Sequence, residues 1–272
     1  MPPKSKTVTV DNPKDPKCWC REAAARMEKE AYAEALYCYE QAVRFYPKDD
    51  TKKDTADVWY NIGCLYEKTG HRDAAAGCFT ACAKKFLTDY RFYAELSRIL
   101  ALTGKTEEAL KAADEALIIN PYSSPVHANK AGYLLMAKKP GEALAEAEEA
   151  IRIDSTSVLG YLHKANALVL LGKASDAARF LEESKDKLSD EPRVLQAFAT
   201  VYLQAQEYEN ARDAAERYAA LCAGDDKAWS LKGAAHAYLG EKEAAECAFR
   251  TAAKINPKDK SHKANLAAVK KL

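Results

Sequence analysis

Eight cysteines are the residues of this chain best equipped for chemistry, and six of them fall before residue 83. Cys18 and Cys20 lie two residues apart, and Cys78 and Cys82 lie one helical turn apart, so either pair could present two thiolates to a metal. A structural zinc needs four converging ligands, and no Cys-x-x-Cys pair or His-Cys cluster supplies the rest. Cys38, Cys78 and Cys82 fall at positions where small apolar side chains are wanted, and a reduced cysteine behaves as a small hydrophobe. Cys20 and Cys64 differ, because both fall on an exposed helix face. The histidines His71, His127, His163, His236 and His262 stand at separate places with no nucleophile or carboxylate set by spacing. Of these, His127 takes the place of a large buried side chain and reads as core. The run Leu102-Thr103-Gly104-Lys105-Thr106 ends like a phosphate-binding loop, but Ile99 stands where the first glycine belongs and no strand precedes it. The expectation is therefore no enzyme, no metal and no cofactor.

Charge and composition narrow the classes further. With 41 Lys+Arg against 40 Asp+Glu the formal net charge is +1, which gives no field to draw the chain onto nucleic acid. No apolar run approaches the roughly 20 residues of a membrane span, and no membrane insertion is expected. The first seventeen residues lack the apolar segment of a secretory signal. A cytoplasmic protein with reduced thiols is the expectation. A content of 48% hydrophobic residues suits a folded chain with a substantial core.

What would position these residues is a repeat. Alanine recurs at Ala35, Ala75, Ala109, Ala143, Ala177, Ala211 and Ala245, spaced by 40 and then by 34 five times. Sixteen residues before each stands a large side chain: Trp19, Trp59, Tyr93, His127, Tyr161, Leu195 and Trp229. Four residues after each of these comes a small one: Ala23, Gly63, Ser97, Ala131, Ala165, Ala199 and Gly233. A second, mostly small site follows the alanine by seven, at Ala42, Cys82, Ala116, Ala150, Ser184, Tyr218 and Ala252. Spacings of four and seven mark one stripe of an α-helix, so each unit predicts two helices, with Gly70, Gly104, Gly172 and Gly240 at the turn between them.

This pattern resembles the tetratricopeptide repeat. Its Trp-x2-Leu-Gly-x2-Tyr, Ala-x3-Phe and Pro signature is met best by Trp59, Ile62, Gly63, Tyr66, Ala75 and Phe79, with prolines at Pro47, Pro121 and Pro257. Leu87, Ser155, Ser189 and Ala223 replace the proline, and Lys130, Lys164 and Lys232 replace the leucine. The resemblance implies an all-α fold, a right-handed superhelical α-solenoid of helix-turn-helix repeats. The layout it implies is a flexible tail at 1–15 and seven repeats over 16–259: 16–49, 56–89, 90–123, 124–157, 158–191, 192–225 and 226–259. An insertion occupies 50–55 and a capping helix 260–272.

By the same resemblance the first helix of each pair lines a concave face, on a stripe offset by one from the packed one. From the third repeat to the sixth that stripe reads Ala94, Arg98, Ala101; Ala128, Gly132, Leu135; Leu162, Asn166, Val169; and Gln196, Thr200, Leu203. A solvent-facing wall this apolar suggests that something covers it. Leu102 and Met136 widen it, Tyr60 extends it into the second repeat, and Asn129 with Asn61 forms part of an amide ladder. The expected anchors are Leu135, Leu162, Val169 and Leu203, with Arg98, Asn166 and Thr200 fixing orientation. The positions of a chaperone-tail clamp lack its cations and amides, as Cys20, Ala24, Glu95 and Ala197 show.

The function these features imply is a non-catalytic protein-protein interaction module, an adaptor or scaffold binding a partner peptide or helix with an apolar or amphipathic segment. A second reading is a self-assembling scaffold, a homo-oligomer in which Thr7, Val8, Thr9 and Val10 dock on another copy, although a monomer is expected. A third is a metal- or redox-responsive protein built on the N-terminal cysteines.

Overall fold

The helical periodicity is realised throughout the computed structural model, which describes residues 8–270 and contains among them fifteen α-helices, one short 3-10 turn and no strand. The chain divides into two compact units, 1–126 and 127–272. The first unit holds three helical hairpins: α1 (Pro16–Glu28) with α2 (Tyr32–Val43), α3 (Lys53–Lys68) with α4 (Arg72–Lys85), and α5 (Tyr90–Leu102) with α6 (Thr106–Ile119). The second holds most of α7 (Ser124–Met136), then α8 (Pro140–Ile153), α9 (Val158–Leu170) with α10 (Ala174–Glu183), and α11 (Pro192–Gln204) with α12 (Tyr208–Leu221). It ends with α13 (Asp226–Tyr238), α14 (Lys242–Ile255) and α15 (Lys260–Val269). Within each unit a helix packs on its chain neighbours, and α11 also touches α9 and α13.

All seven hairpins turn through the same backbone device. Glu30, Gly70, Gly104, Lys138, Gly172, Gln206 and Gly240 have φ between 56° and 84°, the left-handed conformation that closes a helix. The next residue returns its N–H to a carbonyl five positions back, as in His71 to Tyr66 at 2.7 Å and Glu207 to Tyr202 at 2.9 Å. Glycine meets this need without strain at four hairpins, whereas Glu30, Lys138 and Gln206 adopt it at a steric cost.

The seven repeated alanines are all fully buried, at 0% exposure, because any larger side chain there would hold the paired helices apart. The small sites four residues after each large side chain are also buried. The large positions divide: Trp19, Tyr161 and Leu195 are buried, but Trp59, Tyr93, His127 and Trp229 are only half-buried. His127 is thus no simple core residue, and its Nδ1 lies 2.6 Å from Glu146 Oε2.

The lysines that break the leucine position follow a rule of their own. Lys130 pairs with Glu146 at 2.6 Å, Lys164 with Glu148 at 2.8 Å and Lys232 with Glu216 at 3.2 Å, each tying a first helix to a neighbouring second helix. Their stems cover apolar surface, and Lys164 Nζ sits 4.6 Å above the Phe180 ring. The second helix α10, with 10 residues, is a turn shorter than α4, α6, α8, α12 and α14, with 14 each. Ser184 there returns both its N–H and its hydroxyl to Phe180 O, and a 3-10 turn, Lys185–Lys187, follows.

The N-terminal segment departs from the free tail expected at 1–15. Residues 1–7, including Thr7, lie outside the described residues, but Val8 is buried in one cluster with Trp19, Tyr39, Val58 and Ile62, and Val10 packs against it.

Helix α15 is held to the chain by a buried histidine on a carboxylate. His262 is 2% exposed, and its Nε2 lies 2.7 Å from Asp226 Oδ2 on α13 and 3.6 Å from Asp259 Oδ2. Asn256 Nδ2 donates to the same Asp226 oxygen at 3.2 Å, and Asp259 caps α15 by accepting from Ser261 N. The hydrogen bond from His262 holds the Asp226 carboxyl below its ordinary range. A carboxyl lowered on folding stabilises above its unfolded value of about 3.9, and that stability is lost as pH falls through the folded value. Docking of α15 should therefore weaken in acid. Asp226→Asn should loosen it at neutral pH, since a charge-assisted hydrogen bond contributes about 1.5–3 kcal/mol. Hydrogen exchange of the α15 amides is expected to rise about tenfold or more; unchanged exchange would mean that apolar contacts alone hold the helix.

Candidate functional site

In the first unit, α3 and α5 bring together a network of opposite charges. Arg98 donates from Nη1 to Glu67 Oε1 at 2.6 Å and from Nη2 to both Glu67 and Glu95, with Nε also on Glu95 at 3.0 Å. Glu67 is held below the usual carboxylate range by this guanidinium. Tyr60 donates its hydroxyl to Glu95 Oε1 at 3.0 Å, and its ring sits 6.1 Å from Phe79 and 6.3 Å from Phe92. Burial first, and then Glu95, push its phenol up. Arg91 bridges Asp57 and Asp89, each at 2.6 Å from Nη2, and lies 5.0 Å over the Tyr60 ring. Arg98, expected to orient a ligand, thus has its donors engaged by two carboxylates. These partners lie about one period away in sequence, Tyr60 to Glu95 by 35 and Glu67 to Arg98 by 31. Opposite charges roughly 34 apart were the signal that could have revealed them. Leu102, at the end of α5, is 54% exposed.

The second unit places most of the expected residues on α7, α9 and α11. Leu162 is only 7% exposed and belongs to one core cluster with Tyr161, Phe198 and Val201. This corrects the expectation that it lies off the packed stripe. Helix α9 is covered by α8, α10 and α11, so a stripe offset by one residue enters the seam instead of facing solvent. Val169 and Leu203 are half-buried against the same cluster. Thr200, expected to orient a ligand, returns its hydroxyl to Gln196 O at 2.8 Å, as a helical threonine commonly does. Asn129, Leu135 and Asn166 are half-buried, and among the described residues no hydrogen bond engages either asparagine amide. Met136 is 55% exposed, and the same register position one period on, which the sequence reading did not single out, is Leu170 at 60%.

His163 lies between α7 and α9. A Cβ on Gly132 would come within 3.0 Å of its Nε2, so the glycine makes room for the ring. Burial lowers its pKa, which favours the neutral imidazole, and Nδ1 is buried without a partner.

All eight cysteines are unpaired. Burial pushes the Cys38 and Cys64 thiols up to about 11 and raises Cys20 as well, the opposite of what a metal ligand or reactive thiolate requires. Among the described residues, the metal-ligating groups that converge in a set of three are Asp226, Asp259 and His262, which include no cysteine. The described helices include none long and apolar enough to cross a membrane.

Helical hairpins spaced by 40 and then by 34 residues, each sealed by a buried alanine, define an α-helical repeat protein. Family models described as tetratricopeptide repeat match residues 60–124 and 226–259, so the chain carries tetratricopeptide repeats in these segments. No curated protein sequence matches it significantly. Among solved structures, a tetratricopeptide repeat protein from Parabacteroides merdae is similar with a TM-score of 0.73 at 16% identity, over 94% of this chain and 98% of that one. PilW, described as a type IV pilus biogenesis factor, gives 0.70 at 16% identity, over 80% of this chain and 99% of its own. YrrB, described as a TPR protein with an unusual peptide-binding site, gives 0.53 at 18% identity, over 72% of this chain and 100% of its own. At these identities the likeness is one of fold.

Proposed function

We propose that the chain is a non-catalytic, cytoplasmic interaction module of seven repeats over 16–259 with a C-terminal capping helix, and that α7, α9 and α11 present its binding face to a segment of a partner protein. The observation that carries this reading is the pair of asparagine amides, Asn129 and Asn166, which make no hydrogen bond among the described residues, on the helices that carry half-exposed Leu135, Val169 and Leu203. Such amides can grip the main chain of an extended peptide, while the aliphatic side chains take its apolar residues. The description of YrrB as peptide-binding, on the same fold, supports the reading. Leu162 supports this face from beneath instead of touching the ligand, and Arg98 and Thr200 are spent within the chain. Eight unpaired cysteines accord with a reducing compartment.

Selection of displayed peptides on the full chain tests it. Peptides enriched on the protein should lose at least tenfold in affinity on Asn129→Ala with Asn166→Ala, about 1.4 kcal/mol or more, with unchanged circular dichroism. Peptides that bind the double variant as tightly as the parent would defeat the assignment.

A further inference from the structure

The first unit already holds a peptide in the way a peptide-binding face would. Residues 8–10 lie outside any helix, with Val8 buried, Thr9 exposed and Val10 half-buried, an alternation that suits a segment lying on an apolar surface. That surface is built by Trp19 of α1, Tyr39 of α2, and Val58 and Ile62 of α3, with which Val8 forms one cluster. The chain reaches it by turning back on itself. Asp15 N donates to Asn12 O at 3.1 Å, Asp15 caps α1 by accepting from Lys17 N, and Trp19 Nε1 donates to Pro13 O at 2.8 Å. Beyond that clamp, no hydrogen bond among the described residues engages the main chain of residues 8–10, so side-chain burial alone seats them.

We propose that this face of α1–α3 is a second binding surface, distinct from the one on α7, α9 and α11, and that Val8–Val10 is its resident, displaceable occupant. The resident defines the chemistry of the partner: an extended segment with β-branched apolar side chains at alternate positions and a small polar residue between them. An arriving segment of that kind replaces the resident, which swings away about the Asn12–Asp15 turn. Because the competitor is tethered, its effective concentration is high, and only a partner of matching chemistry at sufficient concentration opens the face.

The test uses the full chain and a fluorescently labelled peptide of residues 5–14 as probe. Val8→Asp with Val10→Asp should empty the face while keeping the Pro13–Trp19 clamp. The probe should bind that variant at least tenfold more tightly than the parent chain, and a probe carrying the same two aspartates should bind neither. Trp19→Phe, which keeps a ring but removes the indole donor, should give intermediate affinity. Equal binding to parent and variant, absence of binding to a variant with intact circular dichroism, or binding of the aspartate probe would each overturn the proposal. Loss of helical content in the double variant would also overturn it, by making the segment fixed core. A dimeric parent chain in light scattering would mean that the segment is exchanged between copies and would overturn occupancy within one chain.

Discussion

Leu162→Glu should unfold the second unit, whereas Met136→Glu should leave it intact. Leu162 is 7% exposed within a cluster that includes Tyr161, Ala165, Phe198 and Val201. Replacing it removes about 1.5–3 kcal/mol of apolar burial. It also places a carboxylate where water is excluded, which costs several kcal/mol more unless the group takes up a proton. A domain holds only about 5–15 kcal/mol in reserve, so the two effects together should consume most of it. Met136 is 55% exposed, and a surface change of this kind is expected to stay within about 0.5 kcal/mol. Circular dichroism on heating distinguishes the cases: a large fall in midpoint for Leu162→Glu and almost none for Met136→Glu. An unchanged midpoint for Leu162→Glu would return that side chain to the exposed face. If the fall is observed, a loss of binding in Leu162→Glu reports unfolding and says nothing of the ligand, which is why Asn129 and Asn166 are the better probes.

The contrast between Leu162 and Met136 shows where the sequence was legible. The repeated alanines and their small partners fall at positions where the period and the packing demand coincide, and all are buried. Leu162 was misread because one residue of offset turns a side chain by only about 100°, too little to clear a seam when three helices surround α9. Arg98 was legible as a cation but not as a spent one, since Glu95, three residues before it on α5, is a local partner but Glu67 sits on another helix that no local pattern announces. The turns divide in the same way. Gly70 and Gly104 advertise the left-handed conformation, while Lys138 and Gln206 adopt it because the hydrogen bonds of the turn require it, whatever the side chain. Val8 was legible as a docking residue, but its destination within its own chain depended on the Trp19 clamp, which a sequence does not display.

In the first unit the largest loss should follow Phe79→Ala, and the informative one Gly63→Ala. Phe79 is fully buried, with the Tyr60 and Phe92 rings 6.1 and 6.4 Å from its own, and truncating it should cost about 3–5 kcal/mol. A Cβ on Gly63 would fall 2.4 Å from Phe79 Cε1 and 2.5 Å from Cζ. The ring is hemmed in by those neighbours, so overpacking should cost about 1–3 kcal/mol, or more if the helices must part. At Gly233 the same Cβ would lie 2.9 Å from the Phe249 ring, and Gly233→Ala should therefore cost less. Thermal midpoints of the two alanine variants test the ordering. Gly63→Ala combined with Phe79→Leu should cost less than the two changes taken separately, because the smaller side chain vacates the clash, with a coupling of about 0.5–3 kcal/mol. Additive losses, or a Gly233→Ala variant as damaged as Gly63→Ala, would show that the approach of the ring does not set the cost. The remaining units support the packing account. Sixteen residues after each small site stands its counterpart: Gly63 and Gly233 face phenylalanines, while Ser97, Ala131 and Ala199 precede Ala113, Ala147 and Ala215, all buried. Glycine thus stands at the small site in the two hairpins whose facing phenylalanine ring would meet a Cβ there.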